Sequence, residues 1–156
     1  MHRLIKGYSY LIEGVTYLQP FFLLLLRFSL GSSFLYAGLG KLTRISDIAT
    51  FFENLDIPFP LFNAYLVAWT EAVGGFCLLI GFATRLAALP LCITMGVALL
   101  TTKKEALFSL WEDSKELITQ IPFIYLLVLL ILLLFGPGYF SLDYALERFF
   151  RKKNGS

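Results

Sequence analysis

Two charged residues stand alone inside long apolar runs. Arg27 lies in the run from Pro20 to Lys41, and Glu71 in the run from Phe62 to Gly81. A charge at membrane depth costs a few kcal/mol or more unless it finds a partner or water. Opposite signs on neighbouring apolar runs predict that the guanidinium and the carboxylate face each other. Two chemistries follow. The pair can hold an anionic or carbonyl-bearing head group, or relay a proton. It can equally be a buried bridge that orients one helix on another, since such bridges add little net stability but set register.

The neighbours of the pair share its periodicity. Arg27, Gly31, Phe34, Gly38 and Lys41 follow at steps of four, three, four and three, so they fall on one helical face. Glu71, Gly75, Leu78, Phe82 and Arg85 repeat those steps, with Gly74 beside Gly75. Glycines on such a face let a second helix approach closely. Gly31 and Gly38 are therefore expected to pack against Gly74 and Gly75. Lys41 and Arg85 sit at span ends, where long basic side chains snorkel to the interface. Lys41 shares the face of Arg27 and can also reach into the bundle.

Other chemistries find no footing. His2 is the sole histidine, so paired imidazoles cannot hold haem, and no Cys/His cluster offers a metal site. Cys77 and Cys92 form no C-x-x-C and are expected to pack as small hydrophobes. No glycine-rich nucleotide loop is present, and a net charge of +2 gives no basic surface for nucleic acid. The chain carries no cofactor ligands of its own.

The elements that position these residues belong to a membrane protein. Hydrophobic residues make up 58% of the 156, and charged ones only 15%, against about 25% in soluble domains. Mean hydropathy is +0.74. Four stretches approach the roughly 20 apolar residues of a span: 20–41, 62–81, 86–102 and 118–136. The expected fold is all-α, a four-transmembrane-helix bundle forming a single membrane domain over 1–156. Short interfacial amphipathic helices are expected at 3–18, 45–56, 103–117 and 141–151. Gly136-Pro137-Gly138 breaks the last span, after which Ser141 reads as an N-cap with Asp143 in the first turn.

With four spans both termini share a side. That side holds Arg3, Lys6, Arg85, Arg148, Arg151, Lys152 and Lys153, and the other holds Lys41, Arg44, Lys103, Lys104 and Lys115. Seven against five predicts cytoplasmic termini. The basic end follows an apolar face of Leu142, Ala145, Leu146, Phe149 and Phe150, suited to an anionic inner leaflet.

Taken in order, four stretches resemble the DoxX family of small bacterial membrane proteins. They are Arg27-x3-Gly31-x2-Phe34-x3-Gly38-x2-Lys41, Glu71-x2-Gly74-Gly75-x5-Gly81-x2-Thr84-Arg85-x-Ala87-Ala88, Met95-x2-Ala98, and Gly136-Pro137-Gly138-x2-Ser141-x-Asp143. The resemblance implies a four-helix protein of the bacterial inner membrane. It also implies association with redox systems, such as a thiosulfate–quinone oxidoreductase subunit or a complex with a sulfurtransferase and a superoxide dismutase. The wider family is similar to membrane assembly factors. The positions matching its polar signature are Arg27, Lys41, Glu71, Arg85 and Asp143.

Three functions are therefore expected to compete. The first is a non-autonomous subunit of a redox-associated membrane complex, working with other membrane or peripheral redox proteins, with a quinone or similar lipophilic molecule near the Arg27–Glu71 pair. The second is an assembly or scaffold protein without catalysis. The third is a small proton-coupled transporter using Glu71, for which four spans are few unless the chain forms a homo-oligomer.

Overall fold

The structure is a computed structural model that describes residues 2–102 and 120–153, with side chains at 14, 16–101 and 120–150. The described residues form six helices and no strand: α1 (His2–Thr43), α2 (Ile45–Glu53), α3 (Pro60–Ile80), α4 (Thr84–Thr102), α5 (Ile121–Phe135) and α6 (Leu142–Lys153). Three helical stretches are long and apolar enough to cross a membrane: Thr16–Thr43, Pro60–Ile80 and Thr84–Thr101. α5 is shorter, at 15 residues, or about 22 Å against a hydrocarbon core of about 30 Å. The protein is an all-α helical membrane bundle.

Two expected boundaries move. The stretches 3–18 and 20–41 are not separate helices but one helix of 42 residues that runs through Pro20. A proline removes a single N–H donor, and in apolar helices the remaining ladder carries the chain past it. The last span is expected over 118–136 but begins at Ile121, with Pro122 in its first turn. The expected interfacial helix at 103–117 lies outside the described residues.

Packing follows the small residues. α1 lies chiefly along α3, α4 along α5, and α2 across α3. A Cβ added at Gly31 would meet the backbone of Gly75 and Leu79, and one at Gly38 the backbone of Ala68 and Ala72. Gly75 meets Leu35 and Gly31 in return, so the two helix backbones touch without intervening side chains. Gly74 faces elsewhere and admits Leu91 of α4. Around this crossing Leu23, Leu30, Phe34, Leu78, Leu91, Met95, Leu129 and Leu132 form the buried core. The Phe34 ring meets Tyr125 of α5 edge-on, centroids 5.3 Å apart. Leu25, Phe28, Trp69, Val73 and Leu134 point outward, towards lipid.

The α3–α4 corner is tight because a glycine ends α3 in a left-handed conformation. Gly81 takes φ +68. The Phe82 N–H then reaches the Cys77 carbonyl and the Gly81 N–H the Leu78 carbonyl, a Schellman ending that satisfies the last carbonyls of α3. Ala83 follows, also at positive φ, and α4 starts at Thr84.

Candidate functional site

Glu71 is buried, with 1% of its surface exposed. Its partner is Lys41. The Lys41 ammonium donates to both carboxylate oxygens, at 2.5 Å to Oε2. The expected pair of Arg27 with Glu71 does not form. The reason lies in register and in the direction of side chains. The glycine contacts place one residue further along α1 opposite one residue back along α3, which sets Arg27 level with Gly81. That is ten residues from Glu71, about 15 Å along the axis. Side chains also lean towards the N-terminus of their own helix. α1 and α3 run antiparallel, so Arg27 leans to the termini end and Glu71 to the opposite end. The same rule leans Lys41 inward along α1, towards Glu71.

The Lys41–Glu71 pair lies in the wall of a cavity of about 750 Å3 between α1, α2, α3, α4 and α5. The wall is largely apolar, with Phe34, Phe52, Leu55, Ile93, Met95 and Tyr125 among its residues. Thr70, Thr94, Thr101 and Asn63 add uncharged polar groups. Two of the threonines are committed to their own helix: Thr94 Oγ1 donates to the Pro90 carbonyl and Thr101 Oγ1 to that of Val97. Asn63 donates to the Pro58 carbonyl at 2.7 Å and ties down the turn between α2 and α3. α2 buries no residue of its own and lays Ile48, Phe51 and Phe52 over the cavity. The arrangement can enclose a molecule of a few hundred Å3 that is apolar except at one end. At that end it offers an ammonium donor beside a carboxylate.

Arg27 is the centre of a second polar cluster at the termini end. Its guanidinium is 1% exposed and donates to the Phe140 carbonyl. It lies against Gly81 and Ser141, where a Cβ on Gly81 would collide with it. Asp143 is the opposite charge acting on it. Among the described residues, Arg27 Nε and Nη1 and Thr84 Oγ1 are buried without a hydrogen-bond partner. The Asp143 carboxylate accepts from the N–H groups of Ala83 and Thr84, at 2.6 and 2.9 Å, so it caps α4 from a helix sixty residues away. Asp143 N–H returns a bond to the Gly81 carbonyl at 3.0 Å. Ser141 accepts from Tyr144 N–H at 3.1 Å and caps α6. Gly136 and Gly138 take positive φ on either side of Pro137, which turns the chain from α5 back to this corner. Arg85 donates to the Leu134 carbonyl at 3.3 Å, and its guanidinium lies beside Gly136.

The structure thus divides Arg27, Lys41, Glu71, Arg85 and Asp143 into two groups at opposite ends of the bundle. The backbone partners, Phe140, Gly81, Ala83 and Thr84, carry no side-chain signal that sequence reading could use. Cys77 and Cys92 are free thiols, half-buried. Among the described residues no three His, Cys, Asp or Glu side chains gather as a metal site.

The family model described as DoxX matches residues 22–104. The chain is 34% identical to the membrane protein Rv3486 of Mycobacterium tuberculosis, over 79% of this chain and 80% of that one. It is 33% identical to the Bacillus subtilis protein named "Putative oxidoreductase CatD", over 85% and 91%. It is 32% identical to the inner membrane protein YqjF of Escherichia coli, over 74% and 84%. No solved structure matches.

Proposed function

The chain belongs to the DoxX family, and from that premise we propose that it is an accessory subunit of a redox-associated complex in the bacterial inner membrane, with both termini in the cytoplasm. Its task is to hold a lipophilic, carbonyl-bearing molecule such as a quinone in the cavity beside Lys41 and Glu71. The observation that carries this reading is the cavity itself: about 750 Å3, largely apolar, with the part-buried Lys41–Glu71 ion pair at its wall. Pockets of that size and lining suit small lipophilic ligands fixed by few polar groups. Lys41 would donate to a ligand oxygen, while Glu71 would hold the ammonium in place and exchange a proton with the ligand. Phe51 and Phe52 of α2 would cover the apolar body. Electrons would pass to and from a partner protein. The names of two relatives, an oxidoreductase and an inner membrane protein, support the setting.

Gentle extraction followed by mass spectrometry of co-purified lipid tests the ligand. The expected result is a quinone retained by the wild type and lost from Ala98→Phe, which fills the cavity, and from Glu71→Leu. No quinone in any sample, with redox function intact in Glu71→Gln, would overturn the reading.

A second reading is an assembly protein without catalysis. It draws on a row of outward apolar residues on α3, Trp69, Val73, Phe76 and Ile80, spaced as one helical face. It expects crosslinking from that face to capture a membrane partner, with function surviving loss of both Lys41 and Glu71.

A further inference from the structure

A second cavity, of about 560 Å3, lies at the termini end of the bundle, away from Lys41 and Glu71. Its apolar lining includes Leu23, Leu86 and Phe135, and its charged lining includes Arg85 and Glu147. These elements all meet at span ends. Phe135 closes α5, Arg85 is the second residue of α4, and the apolar part of α1 begins a few residues before Leu23. Span ends are where lipid head groups sit. Tyr139 and Tyr144 line the same cavity, packed edge to face at 5.0 Å, as amphipathic aromatics do at the interface.

Arg85 and Glu147 carry opposite charges on one cavity wall, yet no ion pair joins them among the described residues. Arg85 spends one donor on the Leu134 carbonyl, at a long 3.3 Å, and keeps the rest of its guanidinium open. The Glu147 side chain makes no hydrogen bond or ion pair among the described residues. The third charged group of the wall, Asp143, is already committed to the Ala83 and Thr84 N–H groups. What remains is a cation with open donors and an unpaired anion, both lining one amphiphilic hollow at head-group depth.

We propose that this cavity binds a phospholipid whose head joins a phosphodiester to a primary ammonium. Arg85 takes the phosphodiester, as guanidinium forks do. Glu147 takes the ammonium through its N–H donors. The acyl chains run along Leu23, Leu86 and Phe135. The site is separate from the Lys41–Glu71 cavity and stands whether or not that cavity holds a quinone.

The test is native mass spectrometry of the delipidated full-length protein in detergent, titrated with phosphatidylethanolamine, phosphatidylcholine, phosphatidylglycerol and chain-free glycerophosphoethanolamine. Phosphatidylethanolamine should bind about fivefold more tightly than the other two lipids, because phosphatidylglycerol lacks the cation that pairs with Glu147 and phosphatidylcholine keeps the charge but has no N–H to donate. Chain-free head group should bind weakly. Arg85→Gln should weaken all three lipids, whereas Glu147→Gln should remove only the preference for the primary ammonium. Unchanged melting temperatures confirm that both variants fold, since each side chain is exposed. Equal binding of the three lipids, a preference for phosphatidylglycerol, or chain-free head group binding as well as lipid would each overturn the proposal.

Discussion

The Lys41–Glu71 pair is asymmetric, and that asymmetry is testable. The Glu71 side chain is 2% exposed and that of Lys41 29%, so the ammonium can reach water when its partner is lost and the carboxylate cannot. Removing one member of a buried pair leaves an uncompensated charge, whereas replacing both by apolar residues of similar volume is often neutral. Lys41→Met should therefore destabilise by about 3 kcal/mol and Glu71→Leu by less, about 1–2 kcal/mol, because Lys41 can withdraw. The double variant should recover most of the loss. Denaturant unfolding of all four proteins checks this, and additive losses in the double variant would refute the coupling. That Arg27 and Glu71 would be buried was legible from their isolation within apolar runs. Their separation was not, because the charges say nothing of register, and lean along antiparallel helices carries the two side chains to opposite ends. The glycine pattern held the missing information: Gly31 and Gly38 opposite Gly75 and Ala72 set the register that sends Arg27 to Gly81.

At the scale of elements, not all glycines are alike. Gly31 and Gly75 lie where two helix backbones touch, so an added methyl must push helices apart. Gly40 and Gly96 have nothing within 4 Å of an added Cβ. Gly31→Ala and Gly75→Ala should cost roughly 1–3 kcal/mol each through overpacking. Gly40→Ala and Gly96→Ala should leave stability unchanged or raise it slightly, since alanine is the better helix former. Thermal unfolding in one detergent compares the four, and equal effects at both sets of positions would sink the argument. The spans themselves were legible because hydropathy alone marks an element that must bury its backbone polar groups. The continuity of α1 through Pro20 was not, since a proline reads equally as a boundary or as a tolerated residue. The Ser141 cap was legible from a hydroxyl placed just after a glycine-proline break. The role of Asp143 was hidden, because its partners are backbone N–H groups sixty residues away.

Across the bundle, the segment that follows α5 fastens the corner between α3 and α4. Asp143 binds Ala83 and Thr84 N–H while its own N–H binds Gly81, and Arg27 reaches the Phe140 carbonyl from α1. Asp143→Ala should uncap α4 and cost about 1–2 kcal/mol. Hydrogen exchange at the Ala83 and Thr84 amides should then speed up while α5 amides stay protected. Exchange unchanged at those two amides would show that the contact carries no stability. The clasp also gives assembly a direction in time. A nascent chain inserts its first helices with the corner between α3 and α4 still bare, and the residue that closes it leaves the ribosome sixty residues later. A product cut short before that point would sit in the bilayer with that corner open and the Arg27 guanidinium without the Phe140 carbonyl.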